Sequence, residues 1–107
     1  MSLRTLYATG AGALAATIAP GVAFQIEEIR VHLGSASATS ENITVTLDHA
    51  EGAAYDVVLK AQDMNAVVDF VWIPARPAII PTGSEVDIAW ANTNTETFGL
   101  EVLYKGI

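Results

Sequence analysis

The sequence predicts an all-β protein: an antiparallel β-sandwich, jelly-roll-like, with about seven or eight strands and an extended N-terminal arm. Apolar and polar residues alternate with a period of two along most of the chain, which is typical of half-buried strands. Short stretches rich in Gly, Pro, Asn and Ser separate the alternating segments, as in sandwiches and barrels. No stretch combines helical period with adequate length, so a sandwich is favoured.

Length and composition indicate one folded domain that assembles with other proteins. The chain has 107 residues, of which 51% are hydrophobic and 16% charged. A domain of this size buries one core, and its surplus apolar surface predicts a homo-oligomer, a dimer or trimer. The net charge of −7 argues against nucleic acid and anionic membranes as partners. There is no Cys, so disulfides and thiol chemistry are excluded.

Residues 1–22 are predicted to form the extended arm, docked on a neighbouring protein. The segment is rich in Gly and Ala, whose small side chains allow close backbone approach. One alternative is a secretory signal cleaved after Ala23, because Arg4 precedes an apolar stretch with a small-residue exit. A membrane span and an ordinary first strand over residues 3–7 are two others. Our expectation is that the segment stays on the mature protein.

The β-sandwich domain is predicted to cover residues 23–107. Its strands are expected at residues 24–33, 43–47, 55–60, 67–73, 86–90 and 98–104. The phase changes at Glu27 and Glu28, which predicts a bulge. The nearly continuous apolar run 67–73 predicts a strand covered on both faces. Prolines confine residues 74–83 to a connection or to an edge strand around Ile79 and Ile80.

Side chains that could support catalysis or metal binding are few. His32 and His49 have no further donors at metal-ligand spacing. Asp48, Glu51 and Asp56 bracket one turn, but they do not follow a calcium-loop pattern. No serine lies in a nucleophile elbow. The sequence therefore predicts no enzyme, no catalytic or metal-binding residue and no cofactor.

The two tryptophans could stack on sugars, but their phase predicts core positions. Trp72 continues the phase of Val68 and Phe70, and Trp90 continues that of Val86 and Ile88. Large rings at such positions usually fill the interior of a small domain.

Several stretches resemble small structural proteins of tailed bacteriophages and their prophages. They are the F-x-I-x-E-I-R-V-H-L strand at 24–33, S-E-N-I-T-V-T-L-D at 40–48, A-A-Y-D-V-V-L at 53–59, and A-N-T before F-G-L-E-V-L-Y. The resemblance covers residues 24–104 and contains no catalytic motif. It implies a jelly-roll capsid decoration or cement protein on the capsid surface of a virion, braced against the major capsid protein or other virion proteins.

Under this interpretation, apolar residues of the arm and the proline-rich segment are the expected contacts. An arm can add backbone hydrogen bonds to a neighbour's strand. The predicted partner-binding residues are Leu3, Leu6, Tyr7, Leu14, Arg76, Ile79 and Ile80.

Two other functions remain open from the sequence. A head-fibre, tail or baseplate component would use the same sandwich within a virion. A secreted carbohydrate-binding or adhesion module would begin near Gln25 and expose Trp72 or Trp90.

Overall fold

Residues 3–107 are described by a computed structural model, and Met1 and Ser2 lie outside the described residues. They form nine strands and one short 3-10 turn, Ala53–Tyr55. The strands are β1 Leu3–Gly10, β2 Leu14–Ile18, β3 Phe24–Leu33, β4 Asn42–Asp48, β5 Val57–Asp63, β6 Asp69–Trp72, β7 Ala78–Ile80, β8 Glu85–Trp90 and β9 Phe98–Gly106.

The strands form two antiparallel sheets. The front sheet has the order β1-β9-β3-β6, and β7 continues the β6 edge by pairing with β3. The back sheet has the order β2-β8-β4-β5. The predicted antiparallel β-sandwich is confirmed.

The connectivity is that of a jelly roll. Strands pair from the two ends of the chain inward: β1 with β9, β2 with β8, β3 with β6, and β4 with β5. The chain thus forms one long antiparallel ribbon that folds over on itself. This folding pairs β9 with β3 in one sheet and β8 with β4 in the other. Each sheet receives four strands of this ribbon, as in an eight-stranded jelly roll.

The core lies between the inner faces of the two sheets, and it contains only apolar side chains at its centre. Buried residues alternate along the central strands, apart from the bulge in β3, and the inward-facing Leu47 and Tyr104 are partly buried. The buried set includes Ile29, Val31, Leu33, Ile43, Val45, Phe70, Val86, Ile88, Trp90, Leu100 and Val102.

The strands predicted from the period of two are present, with one difference in burial. The bulge in β3 is confirmed, because the pairing with β9 shifts between Ile26 and Glu28. The run 67–73 is not covered on both faces, because β6 lies at a sheet edge and exposes Asp69 and Val71. Its apolar residues therefore include a surface side chain that periodicity assigned to the interior.

The described part of the predicted arm belongs to the sandwich. β1 pairs with β9 over its whole length, and β2 pairs with β8. Leu14 and Ile18 are buried, and a Cβ at Gly10 would come within 3.3 Å of the Phe98 ring. The alternative of a first strand in the protein's own sheet is the one observed for Leu3–Gly10. The high Ala and Gly content concealed the strand period.

Four loops are hydrogen-bonded together at one end of the sandwich. Asn92, buried and with a φ of 46°, donates through Nδ2 to the carbonyls of Gly12 (2.8 Å) and Glu96 (2.9 Å). Ser37 accepts a backbone bond from Ala66 at 2.7 Å through its carbonyl. These bonds hold the loops that follow the C-terminal end of β3 and precede the N-terminal ends of β6 and β9. These three strands carry the site described next. Within residues 3–107 no helix is long and apolar enough to span a membrane.

Candidate functional site

The free edges of both sheets are protected against strand addition. Arg4 of β1 is paired with Tyr104, so it occupies the core-side phase of an edge strand. Lys60 of β5 has the same position opposite buried Val45, next to a bulge. β2 is five residues long. Inward-phase charges, bulges and short strands are the usual means of preventing edge pairing. Contacts with other proteins are therefore better sought on the faces.

The outer surface of the front sheet, called here the front face, carries two rows of facing side chains. Tyr7, Glu101, Arg30 and Val71 lie side by side across β1, β9, β3 and β6. The next row runs Thr9, Gly99, His32 and Asp69 across the same strands. Directly paired residues point to the same side of a sheet, so both rows face away from the core.

A shallow hollow of about 400 Å³ lies between these rows, with Gly99 at its floor. Tyr7 forms the wall on the β1 side and is 73% exposed. Val71 forms the opposite wall and is 55% exposed. Most of the exposed lining surface is apolar, although Arg30, His32, Asp69 and Glu101 also line the hollow.

The fold itself does not require glycine at position 99. A Cβ built there would meet no atom within 4 Å, and Gly99 is not among the glycines with positive φ. Glycine inside a strand costs conformational entropy and often marks close approach by another molecule. The open floor of the hollow is therefore unexplained by the protein's own packing.

The charged groups around the hollow are paired with one another. Arg30 donates through Nη1 to Glu101 at 2.6 Å and through Nε to Glu28. The hydrogen bond from Arg30 lowers the pKa of the Glu28 carboxyl, and the bonds to Glu28 and Glu101 raise the pKa of Arg30. His32 Nδ1 lies 2.6 Å from Asp69 Oδ1. These exposed pairs orient the side chains more than they stabilise the fold.

The front face as a whole is acidic and has an apolar rim. Among the strand residues of this face, four carboxylates against two cations leave a net charge of −2 with His32 neutral: Glu27, Glu28, Asp69 and Glu101 against Arg30 and Lys105. Exposed Arg76 lies outside this set, in the β6–β7 connection. Exposed apolar side chains follow its two edges, namely Leu3 and Tyr7 on one side and Val71, Ile73 and Ile79 on the other.

The predicted contact residues divide between this face and the core. Leu3, Tyr7 and Ile79 are exposed on the front face, and Arg76 is exposed in the β6–β7 connection. The assignment of Leu14 and Ile80 to the surface is wrong, because both side chains are buried in the protein's own core. Leu6 is half-buried against that core.

Sequence reasoning missed the residues that connect these positions. They are Arg30, His32, Val71, Gly99 and Glu101. The glycine within the alternating segment 98–104 was the one sequence feature that could have indicated a binding position. Only the pairing of β1 with β9 brings it into the same hollow as Tyr7.

The structure also bears on the sugar-binding alternative and on metal binding. Trp90 is buried, as predicted, and Trp72 is half-buried. A sugar platform on Trp90 is therefore not available. Residues 3–107 contain no group of three or more His, Asp or Glu side chains placed to hold a metal ion.

No protein-family model matches the chain, and no curated protein matches its sequence.

Proposed function

We propose that this protein is a structural binding subunit of a virion, a decoration protein that stabilises the capsid lattice by docking its front face on a capsid protein. The observation that carries the proposal is the front face itself: five exposed apolar side chains lie along its two edges, and two of them, Tyr7 and Val71, line an open hollow. Monomeric proteins seldom place many large apolar side chains on one surface without a binding role.

The virion setting rests on the resemblance of residues 24–104 to small structural proteins of tailed phages. The jelly-roll connectivity agrees with what that resemblance implies. The sequence predicted that an arm would add a strand to a neighbouring protein. Because the sheet edges are protected against strand addition, docking through a face of the sandwich is favoured instead.

The experiment uses particles of the phage or prophage that encodes this chain. Particles lacking the protein are mixed with the recombinant protein, and bound copies per particle and the temperature of genome release are measured. We expect hundreds of bound copies and a higher release temperature. Absence of the protein from purified particles, with no binding on add-back, would exclude a decoration role. Binding at only a few copies would indicate a tail or fibre component.

Matched variants determine whether the front face makes the contact. Val71→Asp and Ile79→Asp place charge on exposed front-face positions, whereas Ala15→Asp and Ala89→Asp do so on the back face. The front-face variants should lose particle binding while their thermal unfolding is nearly unchanged. The back-face variants should bind as the unmodified protein does. The reverse result would place the interface on the back sheet.

A further inference from the structure

We infer that the hollow above Gly99 receives one bulky apolar side chain from a partner segment that carries basic residues beside it. This inference rests on the proposed function and names the chemistry that the partner must present. It concerns the residues around Gly99, between Tyr7 and Val71.

The shape of the hollow selects an apolar side chain. Its walls include an exposed aromatic ring and an exposed valine, and Gly99 contributes no side chain to its floor. At about 400 Å³ it lies at the lower end of the size range of ligand sites, which is roughly 300–1,000 Å³. An interface commonly gains most of its affinity where one such anchor fills one such recess.

The surrounding charge selects a basic partner. Glu101 and Asp69 each use one oxygen for their pairs with Arg30 and His32. Among the hydrogen bonds of residues 3–107, the second oxygen of each carboxylate has no donor, so it can accept one from a partner's Lys or Arg.

A second copy of this protein is a poorer occupant than a basic partner. The front face carries −2, from four carboxylates and two cations, and the whole chain carries −7. Two copies meeting through this face would bring like charges together, which opposes association. A basic segment would instead gain both attraction and a faster encounter.

The first test is an NMR titration of the ¹⁵N-labelled full chain with acetyl-Lys-Phe-Lys-amide. Controls are acetyl-Glu-Phe-Glu-amide, which reverses the charge, and acetyl-Lys-Gly-Lys-amide, which removes the anchor. We expect the first peptide to shift the amide signals of Gly99, His32 and Val71, with binding at least about tenfold tighter than either control. Equal binding of all three, or shifts located elsewhere, would overturn the inference.

The second test fills the hollow from within. Gly99→Leu adds a side chain where no atom of the protein lies within 4 Å of the new Cβ, so the fold should be retained and the peptide shifts lost. Ala89→Leu makes a comparable addition at an exposed position of the back sheet and should bind the peptide normally. Undiminished peptide binding by Gly99→Leu would disprove the site.

Other occupants are outcomes of the same titration. Saturable shifts at Gly99 with methyl glycosides, but not with the basic peptide, would replace the inference with a sugar site. Shifts that grow with protein concentration alone would replace it with self-association.

The two proposals fail in different ways. If Gly99→Leu binds particles normally while Val71→Asp does not, the front face is the interface but the hollow is not its anchor point. If the peptide occupies the hollow but the protein never binds particles, the recognition chemistry stands and the virion role is lost.

Discussion

The two sheets share one core and nearly equal strand numbers, yet their outer faces differ in shape and chemistry. The back face has one row of small side chains across its four strands, Ala15, Ala89, Thr44 and Ala61, and its large exposed apolar residues, Val57 and Val58, lie on the edge strand β5. Thr17 bonds Asp87 at 2.8 Å beside that row. The front face has a hollow, a chain of ion pairs and large exposed apolar groups.

The inner faces of the two sheets account for folding, whereas the difference between their outer faces concerns binding. Both inner faces follow the same rule, burial of every second side chain, so neither sheet is special for stability. The Ala and Thr side chains in the back-face row expose little apolar area each, so leaving them in water costs little. Exposed Tyr7 and Val71 leave apolar area in water, which favours their burial against another protein.

The largest expected effect is loss of the whole fold when residues 1–22 are deleted. The deletion removes one edge strand from each sheet and the buried side chains of Leu14 and Ile18. Each such side chain contributes roughly 1.5–3 kcal/mol through burial, against a total stability of about 5–15 kcal/mol. We expect no cooperative thermal transition by circular dichroism.

The control for the deletion is the double variant Tyr7→Ala, Thr17→Ala, which changes one exposed side chain in each of the same two strands. It should fold and melt cooperatively. A folded fragment 23–107 with a sharp transition would restore the interpretation of this segment as an arm.

The sequence was sufficient for the sandwich because the period of two is strong where side chains are large. β4, β8 and β9 alternate Ile, Val, Leu or Phe with polar residues, and the phase change in β3 revealed its bulge. β2 could not be found in this way, since Ala occupies both buried-side and exposed positions between Leu14 and Ile18.

The candidate site was only partly predictable because it is assembled by pairing across the chain. Leu3, Tyr7 and Ile79 could be selected one at a time as apolar residues outside the strong strands. Tyr7 lies opposite Glu101 because β1 pairs with β9, and Gly99 lies beside His32 because β9 also pairs with β3. The period of two along one strand does not indicate which distant strand becomes its neighbour.

The second prediction concerns binding and compares one residue from each face. Tyr7→Ala should weaken particle binding by about 2 kcal/mol, as expected for an aromatic side chain that becomes buried in an interface, which is roughly 30-fold in Kd. Thr17→Ala on the back face should change Kd less than about twofold, because a solvated contact contributes little. Binding is measured by titrating labelled protein onto depleted particles. Equal effects of the two variants would mean that the faces are not functionally distinct.

The third prediction exchanges glycine and alanine between the two faces. Gly99 and Ala89 both occupy outward positions in central strands, on β9 and β8. Gly99→Ala should raise the free energy of unfolding by about 0.5–1 kcal/mol, and Ala89→Gly should lower it by a similar amount. Urea denaturation measures both. A stability loss in Gly99→Ala would show that glycine there serves the fold, which removes the reason for assigning it to binding.

The smallest expected effect is a pH-dependent contribution of the ion pairs that orient the front face. The Arg30 hydrogen bond lowers the pKa of Glu28 from its ordinary 4.5. A carboxylate whose folded pKa is lowered stabilises the protein above its unfolded pKa, and this contribution disappears as the pH falls through the folded value. Unmodified protein should therefore melt slightly above Glu28→Gln at pH 7, and the gap should close below pH 4.5.

Thermal melts from pH 7 to pH 3 at low salt measure this gap, because salt screens exposed pairs. Other carboxylates titrate in both proteins and cancel in the difference. Asp87→Asn supplies the back-face control, since Asp87 contacts the Thr17 hydroxyl and lies away from Arg30. If the gap between unmodified protein and Glu28→Gln stayed constant across this range, the pair with Arg30 would not be formed in solution. Glu101 alone would then orient Arg30, and Glu101→Gln would become the variant that frees the Arg30 side chain beside the hollow.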